Sequence, residues 1–111
     1  MRNRLSVLIA ALCLISANPV HAGAGWTDTV SIGELVLTAK HYYEVRLPVE
    51  DNPSGCKEEN WFYLNYDAIG SQQMFTALLE AMNSNIRLRV YVTGVCNING
   101  YSEISSINLM R

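Results

Sequence analysis

The sequence predicts a mainly β domain that contains one amphipathic helix. Apolar and polar residues alternate over residues 86–93 (IRLRVYVT), which is the period of two of a strand with one buried face. Apolar residues recur at three- and four-residue spacing over residues 72–83, which is the period of a helix. Four further stretches carry strand patterns, so the predicted order is β-β-β-α-β-β.

The first 22 residues have the pattern of a secretory signal peptide. Arg2 and Arg4 make a positive start, residues 5–15 are apolar, and residues 20–22 (VHA) form a small-x-small cleavage site. The apolar run is shorter than the roughly 20 residues that a transmembrane helix needs. We therefore expect export and removal of this segment, with no membrane insertion afterwards.

Cleavage after Ala22, or after Ala24, would leave one small domain over residues 23–111, periplasmic or secreted. The whole chain has a formal net charge of −2. Without the two arginines of the leader, six basic and ten acidic residues remain, and the net charge becomes −4. A negative domain is a poor match for nucleic acid, which requires a basic surface, so we expect no nucleic-acid partner.

Cys56 and Cys96 are the cysteines of the predicted domain, and export favours a disulfide between them. The bond would close a loop of about 40 residues, and the chain-entropy relation gives about 4 kcal/mol of stabilisation for such a loop. Two cysteines and His41 are too few for a structural zinc site. We expect no metal and no cofactor.

Three strands are predicted before the helix, at residues 29–38, 42–47 and 60–65. The apolar face of the first changes sides near Gly33, which indicates a bulge or a bend. The second is expected to point Tyr42 outward and to bury three residues, namely Tyr43, Val45 and Leu47. The third is rich in aromatic residues, of which one alternating set should fill the core.

An acidic loop follows the second strand at residues 49–57 (VEDNPSGCK). Asparagine, proline and glycine in this loop favour turns, and the spacing of its carboxylates matches no calcium-binding loop. We expect a solvated loop that is tied down by Cys56. A role as an inhibitory loop that inserts into a target protein is the alternative.

The helix is predicted at about 71–83, with Ser71 as its N-cap. One stripe should face the core, formed by Met74, Phe75, Leu78, Leu79 and Met82. The strand at 86–93 follows directly. The last strand, 101–110, lacks a strict period of two, and a bulge near Ser105 and Ser106 would restore it.

One helix between the third and fourth of five strands is the order of elements of the OB-fold, a small Greek-key barrel. The helix would close one end of such a barrel. An open α+β sheet with the helix packed on one face is the alternative fold.

The chain also resembles the small exported bacterial proteins related to the receptor-binding B subunits of AB5 toxins, the subtilase cytotoxin and pertussis-like typhoid toxin group. The resemblance lies in the exported N-terminus and in the segments TVSIGELVL, FTALLEAM, IRLRVYVTGVC and NGYSEISSINL, and it spans most of residues 26–111. It implies an OB-fold, a pentameric ring and the binding of sialylated glycans. No site residue is carried over from it.

We expect a non-enzymatic binding module for a glycan or a protein surface, and the alternative is a stand-alone exported domain that binds or inhibits a protein. The aromatic residues exceed what a small core needs, although Trp26 is expected to fold back on the core. The candidate ligand-binding residues are Tyr42, Trp61, Tyr63, Arg87, Arg89 and Tyr91. No motif for nucleophilic catalysis or phosphate binding is present, so an enzyme is not expected.

Overall fold

The computed structural model describes residues 23–111, and the signal peptide expected over residues 1–22 lies outside them. The described protein is mainly β with one helix. Its elements are β1 (Gly25–Trp26), β2 (Val30–Ser31), β3 (Glu34–Leu37), β4 (Tyr42–Arg46), β5 (Trp61–Asn65), α1 (Ser71–Ser84), β6 (Arg87–Val92) and β7 (Ser102–Met110).

The seven strands of the described region form one sheet in the order β1-β6-β7-β5-β4-β3, and β2 also pairs with β6. All pairs are antiparallel except β5 and β7, which run parallel. Strand β2 therefore lies beside β6, near one end of this order, and β3 lies at the other end, although only Ile32 and Gly33 separate the two strands in the chain.

The predicted first strand is broken in two, which accounts for one of the two strands observed beyond the five expected. Its first part, β2, pairs with β6, and its second part, β3, pairs with β4. The break falls at Gly33, as the change of apolar face indicates. A Cβ at Gly33 would lie 2.9 Å from the guanidinium carbon of Arg46, so glycine also makes room for that side chain. Strand β1 was not predicted.

The bulge expected in the last strand is confirmed. Tyr91 pairs with Ser106, whereas the next residue of β6, Val92, pairs with Ile104. Ser105 is therefore the extra residue of β7, and it is exposed. Because of this extra residue, Ile104 and Ile107 both turn toward the core although they lie three positions apart.

The core lies between the helix and the inner face of the sheet. The predicted alternation of β6 is confirmed, since Leu88, Val90 and Val92 have no solvent exposure. Helix α1 contributes Leu78 and Ala81, which are also fully buried. The full core cluster consists of Val45, Leu47, Val49, Phe62, Leu64, Leu78, Ala81, Leu88, Val90, Val92 and Ile104.

Two details of the predicted helix were wrong. Ser71 is not the N-cap: Gly70 holds that position in a left-handed conformation, and the Ser71 hydroxyl donates to the carbonyl oxygen of Tyr66 at 2.6 Å. The apolar stripe is also narrower than expected, because α1 packs mainly against β5 and β7 and leaves Leu79 and Met82 exposed. The helix ends at Ser84, where a left-handed Asn85 follows.

The acidic loop between β4 and β5 forms hydrogen bonds with the rest of the domain. The Asp28 carboxylate accepts the backbone amides of Glu50 and Asp51 at 3.0–3.2 Å. Ser54 lies 2.7 Å from the hydroxyl of Ser102, and both residues are buried. The loop is therefore held in one position by polar contacts as well as by Cys56.

Candidate functional site

The outer face of β6, opposite to its core side chains, gathers aromatic and cationic groups. Arg87, Arg89 and Tyr91 alternate with the buried residues of the strand. The register places Trp26 of β1 opposite Tyr91 and Asn108 of β7 opposite Arg89. Residues paired across a sheet share one face, so these five residues form one surface, which we call the arginine–aromatic face.

Trp26 is the centre of this surface. The guanidinium carbon of Arg89 lies 4.6 Å from the centre of the Trp26 ring, within the range of a cation–π contact. Tyr91 meets the same ring edge-on, with ring centroids 5.4 Å apart and an interplanar angle of 83°. Trp26 is nevertheless 37% exposed. The expectation that it folds back on the core is therefore wrong: it packs on the outer face.

The positive charge of the arginine–aromatic face is not neutralised within the described chain. Over residues 23–111, the one ion pair joins Arg46 to Glu34 at 3.0 Å. Arg87 donates to the backbone oxygen of Thr29 at 2.8 Å. The Nε atom of Arg89 is buried and has no hydrogen-bond partner among the described residues. A guanidinium that forms no ion pair is a good partner for a carboxylate.

The other predicted candidates form a second group on the outer faces of β4 and β5. Tyr42 and Tyr63 meet edge-to-face with centroids 6.2 Å apart, and they are only 7% and 2% exposed. Tyr42 was expected to point to solvent, but its side chain is covered. Trp61 stacks on Tyr101, with centroids 5.4 Å apart and an angle of 18° between the rings. The structure thus divides the six candidates into two groups of three.

A chain of side-chain hydrogen bonds crosses the outer face from Thr93, which follows β6, to Tyr63 of β5. The hydroxyl of Thr93 donates to one carboxylate oxygen of Glu103 at 2.9 Å, and the hydroxyl of Tyr63 donates to the other at 3.5 Å. Burial raises the pKa of Tyr63, the charge of Glu103 raises it further, and the backbone amide of Asn97 partly opposes the shift. Tyr63 therefore acts here as a hydrogen-bond donor that holds the Glu103 carboxylate in place.

The pKa of Tyr101 is also raised, first by burial and then by the negative charges of Glu44 and Glu58. Glu44, Glu58 and Glu103 together make the β4–β5 part of the outer face acidic. The outer face thus has a cationic region on β6 and an acidic region beside it.

A cleft opens where β5 and β7 separate. Their parallel pairing covers two residue pairs, Phe62–Ser102 and Tyr63–Glu103. Beyond it β5 enters a turn, while β7 continues along β6. The cleft has a volume of about 400 Å³ and is lined by Asn65, Asp67, Ala68, Ile69, Glu103, Ile104 and Ser105. We call it the β5–β7 cleft.

The predicted disulfide between Cys56 and Cys96 is confirmed. Cys56 is buried and Cys96 is exposed, so the bond fastens the segment 94–101 to the loop before β5. A disulfide of this kind indicates a non-reducing environment.

Two further features are absent from residues 23–111. No helix in this part of the chain has both the length and the apolar character needed to cross a membrane. The same residues form no cluster of three or more histidine, cysteine or acidic side chains suited to a metal ion.

The sequence alone did not identify Trp26 and Asn108 as neighbours of Arg89. Both reach the arginine–aromatic face through pairing with β6, and the two-residue strand that carries Trp26 is too short to show a period. The β5–β7 cleft was also missed, because it arises from a parallel contact between strands 40 positions apart in the chain. No protein family, curated protein or solved structure matches this chain.

Proposed function

We propose that the protein is an exported, non-enzymatic glycan-binding module whose arginine–aromatic face holds an acidic sugar. The observation that carries the proposal is Arg89, whose guanidinium stacks on Trp26 and forms no ion pair with any described residue. A guanidinium held over a ring has lost much of its side-chain freedom before any ligand arrives. Less entropy is then lost on binding, which favours affinity.

A sialylated glycan fits this chemistry, and the resemblance to toxin B subunits points to the same class. The sugar carboxylate would accept hydrogen bonds from Arg89 and Arg87 in the two-pronged geometry that arginine favours. Trp26 and Tyr91 offer apolar ring surface to the carbon–hydrogen face of the sugar. Asn108, opposite Arg89 in the sheet, offers amide groups to its hydroxyls.

Calorimetric titration with 3′-sialyllactose, and with lactose as the uncharged comparison, tests the proposal. We expect binding of the sialylated sugar and none of lactose. Arg89→Gln should weaken binding at least tenfold, which corresponds to about 1.4 kcal/mol. Arg89→Lys should weaken binding less than Arg89→Gln does, since lysine keeps the positive charge but lacks the paired donors of the guanidinium.

Arg46→Gln is the matched control, because it removes an equal charge from an arginine that is already paired with Glu34. It should bind as the unchanged protein does. Equal losses in Arg46→Gln and Arg89→Gln would mean that net charge, and not this face, governs binding. Thermal unfolding of each variant shows whether the fold is retained.

We further propose that the fold is an OB-type barrel. If β1, β2 and β3 are counted as one interrupted strand, this strand pairs with both β6 and β4. The parallel pair β5–β7 and the helix between β5 and β6 complete the connectivity of a five-stranded Greek-key barrel. Cross-strand proton contacts in solution from β2 to β6 and from β3 to β4 would support closure. The absence of either set would indicate the open sheet.

A ring oligomer belongs to the same proposal, as the resemblance to B subunits implies. Exposed Leu79 and Met82 on α1 give an apolar surface for contact between copies. Light scattering on the exported protein, with and without reductant, tests this idea. A pentamer is expected, and a stable monomer would contradict it.

A further inference from the structure

We propose that the β5–β7 cleft is a second ligand site, and that it takes an amino sugar, which is a hexose carrying a protonated amine. Its volume of about 400 Å³ lies in the range of small-molecule pockets. The proposal is independent of the arginine–aromatic face, since the two sites share no residue and their charges are opposite.

The cleft is a consequence of the strand connections. After Tyr63, β5 runs two residues further and ends at Asn65, whereas the bulge at Ser105 keeps β7 on β6. The strands therefore separate, and residues 67–69 of the turn after β5 line the gap. Ile104 has almost no solvent exposure and forms an apolar base, while Ile69 is 99% exposed at the other wall.

The charge of the lining selects the class of ligand. Asp67 and Glu103 bring two carboxylates, and none of the seven described lining residues is basic. An ammonium group is attracted by such a lining, whereas a sugar carboxylate is repelled. Glu44 of β4 faces Tyr63 across the sheet and adds negative charge to the same region.

The polar groups of the cleft are held in place before a ligand arrives. Glu103 is fixed by Thr93 and Tyr63 through its two carboxylate oxygens. The side-chain oxygen of Asn65 accepts the backbone amide of Asp67 at 2.8 Å. Because this bond uses the side-chain oxygen of Asn65, the amide nitrogen of the same side chain can donate to a sugar hydroxyl. The exposed carbon surface of Ile69 can lie against the apolar side of the ring.

Titration of the isotope-labelled protein with glucosamine, followed by amide chemical shifts, tests the proposal. Saturable shifts should appear at residues 65–69 and 103–105 and should be absent from the arginine–aromatic face. N-acetylglucosamine, which has the same ring without the charge, should bind about tenfold more weakly or not at all. Glucuronic acid should cause no shifts in the cleft.

Asp67→Asn and Glu103→Gln should each weaken glucosamine binding about tenfold, as expected for a lost ionic hydrogen bond. Asp67 is exposed, so its variant should retain the fold. Glu80→Gln, which removes an equal charge from the exposed side of α1, is the matched control and should bind normally. Equal binding of both amino-sugar forms, an equal loss in the Glu80 variant, or shifts outside the cleft would overturn the proposal.

Discussion

Tyr63 is the residue whose ionisation is most clearly coupled to the fold. Its ring is 2% exposed, and its hydroxyl donates to Glu103. Burial, followed by the Glu103 charge, raises its pKa in the folded state above the ordinary value of 10.0. The folded protein then retains this proton at a pH where the unfolded chain has lost it.

The consequence is a loss of stability at high pH. From about pH 10 up to the raised pKa, the folded state binds more protons than the unfolded state, so the free energy of unfolding falls as pH rises. We expect the Tyr63→Phe variant to show a shallower fall over this window, measured by urea unfolding at a series of pH values. Parallel curves for the two proteins above pH 10 would contradict this.

At the scale of elements, the predictions were confirmed where they depend on residues close together in the chain. The alternation of β6, the break at Gly33 and the bulge near Ser105 were all visible in the sequence, because each depends on neighbours within a few residues. Strand β1 was not visible, because it exists through pairing with β6. The wrong N-cap has a similar cause: Ser71 is drawn to the Tyr66 carbonyl, which the preceding turn brings close.

The bulge in β7 is a testable feature at this scale. Deleting Ser105 would place Ile104 and Ile107 two positions apart, so both would stay on the core face in a regular ladder. An alanine inserted between Ser106 and Ile107 would instead turn Ile107 away from the core, at a cost of about 2 kcal/mol or more. Denaturant unfolding should show this loss for the insertion and almost none for the deletion. Equal stability of the two variants would show that the spacing in this strand does not set the register.

For the whole molecule, the disulfide connects the loop between β4 and β5 to the loop between β6 and β7. Cys56 and Cys96 are separated by 40 positions, and the entropy of closing such a loop amounts to about 4 kcal/mol. The free energy of unfolding of the Cys56→Ala/Cys96→Ala double variant should therefore be lower by up to this amount. The variant should unfold at a lower denaturant concentration. Hydrogen exchange should increase first in residues 94–101. Unchanged stability would mean that strain or residual structure cancels the constraint.

The distribution of charge over the whole molecule also bears on the kind of ligand that we propose. Ten acidic and six basic residues lie within residues 23–111, yet Arg87 and Arg89 stand on one face without an acidic partner among the described residues. A local positive surface on a negative protein suits an acidic ligand that is small enough to contact this face alone. The expected sialylated glycan is of that kind, whereas a long polyanion would be repelled by the rest of the surface.

The most direct test of glycan binding at the arginine–aromatic face uses the two tryptophans of the chain as separate reporters. Trp61→Phe leaves Trp26 as the emitter, and Trp26→Phe leaves Trp61, which stacks on Tyr101 away from Arg89. With 3′-sialyllactose, we predict a saturable fluorescence change in Trp61→Phe and none in Trp26→Phe. Lactose should change neither. A response from Trp61 alone, or from neither tryptophan, would contradict the proposal that this face binds acidic glycans.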